Sequence, residues 1–145
     1  MRLKCAMMAA TLISWLAGCG GSTSTPIPAS VTASHGGLLL ALPKQKGFVE
    51  IVVEPEKTSK SQGRLVAYFV SSDGSTVLEP APTDVSFKSD DGKTTALVAD
   101  AKPDPSSKAA RYASVPGAFA PGRALAGDLS ANLGGEVASV TVLTR

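Results

Sequence analysis

Few side chains in this 145-residue chain can act as nucleophiles or metal ligands. There are two cysteines, Cys5 and Cys19, and one histidine, His35. A thiolate is a nucleophile, and an imidazole can transfer protons or ligate a metal ion. A Ser-His-Asp triad would therefore have to use His35, and a Cys–His pair would need a free cysteine as well.

Cys19 follows a segment with the pattern of a signal peptide. The first four residues carry two positive charges and no acid, and residues 6–17 are almost wholly apolar. An apolar run of about 12 residues is too short to cross a bilayer as a helix, which needs about 20. It does have the length of a signal-peptide core.

The sequence Leu16-Ala17-Gly18-Cys19 resembles the lipobox of bacterial lipoproteins. The resemblance implies cleavage before Cys19, a diacylglyceryl group on its sulfur and a further acyl chain on the new amino terminus. Two or three chains anchor a protein almost permanently, since each buried methylene contributes about 0.8 kcal/mol. Gly20 stands where lipoproteins of the inner membrane commonly have aspartate, which implies an outer-membrane anchor facing the periplasm. The inner membrane, the cell surface, and an ordinary secretory signal with a chance cysteine are the alternatives.

Removal of residues 1–18 changes the charge of the protein. The whole chain has a net charge of +2, but Arg2 and Lys4 leave with the signal, so 12 basic residues balance 12 acidic ones. A balanced charge gives no attraction to a polyanion, so we expect no nucleic-acid partner. Cys5 is also lost and Cys19 is lipidated, so the folded part has no thiol and no disulfide.

Composition divides the chain into three segments. Residues 1–18 are the expected signal peptide, and residues 19–34 are the lipidated cysteine with a flexible tether rich in Gly, Ser, Thr and Pro. Residues 35–145 form one domain, which is large enough to fold without disulfides.

The domain has the alternating pattern of β-strands. Residues 48–54 are rich in β-branched side chains and place Val49, Ile51 and Val53 on one face. Residues 64–70 are apolar on both faces, as in a central strand. The sequence therefore predicts a central strand at 64–70 and, at 48–54, a strand with one apolar face and one half-exposed face.

Two glycine-containing turns, at 89–93 and at Gly134-Gly135, predict β-hairpins. Helical periodicity is not sustained anywhere in the mature chain, and residues 106–113 would give one helical turn at most. Short strands with short connections predict an all-β domain, a small antiparallel β-sandwich of immunoglobulin-like type. The strands that flank the two turns are 84–88, 94–99, 125–133 and 136–143.

Carboxylates are the remaining candidates for catalysis, because burial can drive two of their pKa values apart for acid–base work. Asp90-Asp91 is interpreted as a turn, and Asp100 and Asp104 lack the dense oxygen ligands of a calcium loop. A carboxylate-dependent hydrolase would use side chains that we interpret as residues of a solvated face: Glu50, Glu54, Asp84 and Glu136.

His35-Gly36-Gly37 is the one local group with the character of a metal ligand. An exposed imidazole beside flexible glycines can bind copper or zinc through one nitrogen. Protein metal sites normally use three or four ligands, however. The structural alternative is that His35 caps the first strand while the glycines permit a tight turn. The sequence indicates no cofactor.

Four short motifs occur in order between residues 35 and 133: His35-Gly36-Gly37-x-Leu39, Val66-Ala67-Tyr68-Phe69 with Asp73-Gly74, Ala81-Pro82-Thr83-Asp84-Val85, and Arg111-Tyr112-Ala113-Ser114. In this order they resemble small periplasmic β-domains that are sometimes encoded near heavy-metal efflux systems. The resemblance implies no catalytic residues.

We therefore expect a membrane-anchored envelope lipoprotein whose β-domain is a non-catalytic binding or accessory module linked to metal efflux. Its expected partners are the membrane, through the lipid on Cys19, and an envelope protein. A carboxylate-dependent hydrolase and a purely structural envelope protein are the alternatives.

Overall fold

The structure is a computed structural model that describes residues 26–29, 31–100 and 108–144. Across these residues the regular structure is β-strand, apart from one short 3-10 helix, so the predicted all-β class is confirmed. The predicted signal peptide and Cys19 lie outside the described residues. Within the described ranges, no helix has the length and apolarity needed to cross a bilayer.

Nine strands follow one another along the described chain, and the 3-10 helix (Pro43–Gln45) lies between the first two. The strands are β1 (Leu38–Ala41), β2 (Phe48–Pro55), β3 (Gly63–Val70), β4 (Thr83–Ser89), β5 (Thr94–Ala96), β6 (Val98–Ala99), β7 (Ala110–Ala113), β8 (Ala126–Leu133) and β9 (Glu136–Leu143).

The strands form two antiparallel sheets. The first sheet has the order β1-β2-β3-β7-β6 and the second has the order β5-β4-β8-β9. The strands β2-β3-β7-β6 correspond to A-B-E-D of the immunoglobulin fold, and β5-β4-β8-β9 correspond to C′-C-F-G. β1 is an additional edge strand. The predicted small antiparallel sandwich is confirmed.

β3 lies in the interior of the first sheet, as predicted for residues 64–70, and the neighbouring β2 divides its residues between the two faces of the sheet. Val49 and Ile51 point toward the second sheet and join the main core, and Val53 packs against it. Because side chains alternate along a strand, Glu50 and Glu54 lie on the opposite, outer face. This alternation places the charged residues of β2 together on one surface.

The hairpin of β8 and β9 also forms as predicted. Gly134 and Gly135 have φ values of 67° and 91°, which a two-residue type I′ turn requires and glycine adopts without strain. Pairing runs without a shift from Leu133 with Glu136 to Ala126 with Leu143.

The predicted single strand 94–99 is wrong. β5 pairs with β4, but the chain then changes sheets, and Val98 and Ala99 pair with β7 as β6. Leu97 lies between the two short strands and is buried in the main core. Because Leu97 is buried between the sheets, the predicted strand 94–99 is divided into β5 and β6. A local sequence pattern does not reveal this burial.

The described part of residues 106–113 contains no helical turn, which agrees with the prediction of one turn at most, and residues 110–113 are strand β7 beside β3. Tertiary contacts decide this segment. The Tyr112 ring packs edge-on against Phe69, with centroids 5.5 Å apart, and its hydroxyl donates to the Pro82 carbonyl at 2.5 Å.

Candidate functional site

The candidate site is built around Glu50, on the outer face of the first sheet. This carboxylate is covered by residues 34–37 and is only 4% exposed. Its Oε1 accepts the N–H groups of His35 and Gly37, both at 2.8 Å, and its Oε2 accepts the N–H of Ser34 at 2.9 Å. The Nδ1 of His35 lies 3.0 Å from Oε2. Each carboxylate oxygen therefore has two partners.

Two glycines allow the chain to pass this closely over β2. Gly36 has a φ of 75°, in the left-handed region that glycine adopts without strain. A Cβ at Gly37 would lie 2.3 Å from the carbonyl oxygen of Ile51, which excludes a side chain there. The glycines therefore permit a tight turn over β2, which is the structural alternative to a role in metal binding.

The His35 imidazole stacks on Tyr68 of β3. The two ring centroids are 3.6 Å apart and the planes differ by 3°. An ionised carboxylate only accepts hydrogen bonds, so Nδ1 carries the hydrogen of this contact. In the described part of the chain no hydrogen bond to Nε2 occurs, and the side chain is 35% exposed.

A second carboxylate, Glu54, continues the polar network along β2. The Tyr68 hydroxyl donates to its Oε1 at 2.6 Å, and Arg111 Nη2 donates to its Oε2 at 2.8 Å. Arg64 lies 3.5 Å from the same Oε2. Arg111 also donates to Asp100 at 2.5 Å, so one arginine joins two carboxylates.

Both carboxylates of β2 are held in their ionised form. Burial raises the pKa of Glu50, but hydrogen bonds from Gly37 and His35 outweigh it, so the pKa lies below its ordinary value. Burial likewise raises the pKa of Glu54, but the hydrogen bond from the Tyr68 hydroxyl and the charges of Arg111 and Arg64 lower it by more. The pKa of Glu54 therefore also lies below its ordinary value. A general acid at neutral pH requires a shift in the other direction.

A cleft of about 300 Å³ opens beside the stacked rings. His35, Glu50 and Tyr68 line one part of it, and Val31, Gly74 and Lys108 are among the residues that line the rest. A histidine, a lysine and small apolar residues are thus among its lining residues. Such a cleft can receive a polar or anionic group of a partner.

The other two hydrolase candidates lie apart from this cleft. Asp84 is exposed and has a φ of 52°. Glu136, at the start of β9, binds Lys44 and also Lys46 at 2.8 Å, and these hydrogen bonds lower its pKa to about 2. Asp84 and Glu136 are solvent-facing, as predicted. The same interpretation is wrong for Glu50, because residues 34–37 cover it.

One member of each acidic pair in the loops has a structural partner. Asp91 accepts hydrogen bonds from the Ser89 hydroxyl at 2.5 Å and the Lys93 N–H at 3.0 Å, which is the predicted turn role. Asp100 binds Arg111, and Asp104 lies outside the described residues.

Sequence reasoning missed Tyr68 and Arg111 as parts of the site. Tyr68 belongs to the run that is apolar on both faces and is buried in a second cluster on the outer face of the sheet, but its hydroxyl also binds Glu54. A signal was available, because Glu50 and Glu54 share one face of an otherwise apolar strand. Two charges on such a face call for partners on the neighbouring strands.

Among the described residues, no three His, Cys, Asp or Glu side chains come together as a metal site. His35 thus offers a single imidazole nitrogen, with its nearest carboxylate already occupied by hydrogen bonds. No protein-family model, curated protein or solved structure matches this chain.

Proposed function

We propose that this protein is an envelope lipoprotein, anchored in the outer membrane through lipid on Cys19 and facing the periplasm. Its β-sandwich is a non-catalytic binding or accessory module, and its ligand-facing surface is the His35 cleft. The anchor rests on the lipobox-like sequence and on the signal-peptide pattern before it.

One observation supports the non-catalytic role above all others: both oxygens of Glu50 and both oxygens of Glu54 already accept hydrogen bonds from this chain. Glu50 is filled by three backbone N–H groups and His35, and Glu54 is filled by Tyr68 and Arg111. A carboxylate that must protonate a leaving group or activate water needs a free oxygen near substrate. These two instead hold the surface together.

The cleft supports recognition of an envelope protein partner. The segment over Glu50 presents the imidazole edge of His35 at a fixed angle, because stacking on Tyr68 prevents the ring from turning. Lys108 adds a cation on the same cleft. A fixed polar group beside apolar surface is a recognition element that loses little side-chain entropy on binding.

Lipidation is tested by labelling cells with radioactive palmitate. Cys19→Ser should abolish the label and the cleavage, whereas the matched Cys5→Ser should retain both. A version that begins at Gly20 behind an ordinary secretory signal should be released from membranes. Sedimentation of that version with membranes would contradict the anchor.

The non-catalytic role is tested against the hydrolase alternative. The purified protein is assayed with chromogenic ester, glycoside and phosphate substrates, and no turnover is expected. Turnover that disappears in a folded Glu54→Gln variant would establish the alternative instead.

A link to metal efflux is a second candidate, favoured by the His35–Glu50 contact. Histidine ligands commonly donate their other ring hydrogen to a carboxylate, which orients the ring and raises its basicity. Titration calorimetry with copper or zinc should show weak binding that His35→Ala removes and Lys108→Ala preserves. Unchanged affinity in His35→Ala, or no binding by the parent protein, would eliminate the metal site at His35 and leave this cleft a protein-binding or structural role.

A further inference from the structure

β9 forms one edge of the second sheet, and in the described part of the chain it pairs with β8 alone. The two-residue turn makes Leu133 and Glu136 the hydrogen-bonded pair that closes the hairpin. At the other end, the N–H of Thr144 donates to the Leu125 carbonyl at 2.9 Å. Hydrogen-bonded and non-bonded pairs alternate. The even-numbered residues of β9 therefore bond to β8, and the odd-numbered ones direct their N–H and C=O groups outward.

Exposed sheet edges are normally protected by a charge, a proline or a bulge. Between Val137 and Leu143, β9 has no charged residue, no proline and no glycine, and its pairing with β8 contains no register shift. Val137 is 73% exposed and Leu143 is 64% exposed, both on the outer face of the sheet. This edge has the properties of a template for another strand.

We propose that β9 pairs with β9 of a second copy of this chain. The two strands run antiparallel about a two-fold axis that passes at Val140, and the two second sheets become one continuous sheet. Val137 of each copy then lies opposite Leu143 of the other, and Ser139 lies opposite Thr141. This dimer is independent of the function proposed for the His35 cleft.

The register follows from the backbone. Pairing about Val140 places outward-directed residues opposite one another over the whole length from Val137 to Leu143. A shift of one residue would oppose outward groups with inward ones, and a shift of two would leave groups unpaired at both ends. The two-fold axis at Val140 therefore gives the largest number of hydrogen bonds.

The side chains favour the same register, which is the reason to choose a second copy as the partner. Val137, which is exposed and apolar, packs against Leu143 of the other chain, and the hydroxyl groups of Ser139 and Thr141 lie opposite each other. Glu136 is the only charged residue of the strand. In this register it lies opposite Thr144 of the other chain, so the two Glu136 side chains are far from each other. It also has its own cations, Lys44 and Lys46. The strand is therefore self-complementary in shape, polarity and charge.

Single cysteines report the register in the full chain in its native membranes. Residues that pair on a two-fold axis lie about 4.5 Å apart between Cα atoms, within the range of a disulfide. Val140→Cys should therefore form a disulfide-linked dimer under a mild oxidant. Ser139→Cys is more exposed, yet lies too far from its own counterpart and should stay at the background set by the unmodified chain. Equal or stronger cross-linking of Ser139→Cys would overturn the proposal.

Two substitutions in the Val140→Cys chain test the backbone pairing. Thr141→Pro removes an outward N–H and should abolish the cross-link, while the matched Thr141→Ala keeps it. Ser139→Lys places like charges on both sides of the axis without changing the backbone, and it should also abolish the cross-link. The unmodified protein in mild detergent should have twice the mass of its chain. A monomer there, a cross-link to a protein of different mass, or a cross-link that survives both substitutions would overturn the proposal.

Discussion

The outer faces of the two sheets differ in what covers them. On the first sheet, the segment at 34–37 lies over Glu50, and Tyr68 is buried beneath the His35 ring. On the second sheet, Thr141 donates to Asp128 at 2.8 Å, and both remain exposed to solvent. One surface contains buried charges that depend on their partners, and the other contains ordinary surface pairs.

Alternation along a strand and burial of one face of a sheet are therefore separate properties. β2 and β9 both alternate between core and outer residues. The outer face of β2 is covered because the chain before β1 returns over it, whereas the outer face of β9 stays open. Polar residues in equivalent positions therefore contribute very different energies.

The largest effect is expected from Glu50→Ala. The variant leaves the N–H groups of Ser34, His35 and Gly37 without an acceptor, and each unsatisfied buried donor costs about 1–3 kcal/mol. Because the segment can turn partly toward water, we expect a loss of about 3 kcal/mol in the free energy of unfolding, measured with urea. Glu50→Gln keeps one acceptor oxygen and should lose less. A loss below about 0.5 kcal/mol, typical of surface positions, would show that the segment does not depend on Glu50.

Tyr68→Phe should have an intermediate effect. It removes the hydroxyl that donates to Glu54 but keeps the ring on which His35 stacks. A hydrogen bond to a charged group contributes about 1.5–3 kcal/mol, so we expect a loss near 1.5 kcal/mol. The matched Glu54→Gln keeps a hydrogen-bond acceptor but removes the charge, and it should weaken the Arg111 contact as well. Unchanged stability in both variants would make this network a surface feature.

Acid should destabilise the protein through the same face. The pKa values of Glu50 and Glu54 are lowered in the folded state from their ordinary value of about 4.5. Their contribution to stability is therefore present above that value and is lost as the pH falls through the lowered folded pKa values. The free energy of unfolding should decrease below about pH 4.5, with a shallower decrease in Glu50→Gln. An identical pH profile for the two proteins would contradict this origin.

The smallest effect is expected on the second sheet. Thr141→Ala removes the exposed hydroxyl that binds Asp128. Surface substitutions usually change stability by less than about 0.5 kcal/mol, and we expect that here. Thermal unfolding of Thr141→Ala and Tyr68→Phe under the same conditions would compare the two losses of stability. A loss as large as that of Tyr68→Phe would remove the contrast between the two faces.

Most strands could be predicted because their signals are local. The β-branched alternation of residues 48–54, the doubly apolar run at 64–70 and the Gly134-Gly135 turn each act through a few neighbouring residues. The division of 94–99 between two sheets could not be predicted in this way. It depends on Leu97 entering a core whose other side comes from distant strands.

The alternation of the strands, the tight turn between β8 and β9, and the presence of a single histidine follow from the order of the amino acids alone. The burial of Glu50, and the contacts through His35 and Tyr68 that connect it with Arg111, depend on the folded path of the chain. The reason is that strand periodicity specifies which residues share a face, while the path of the rest of the chain specifies whether water reaches that face.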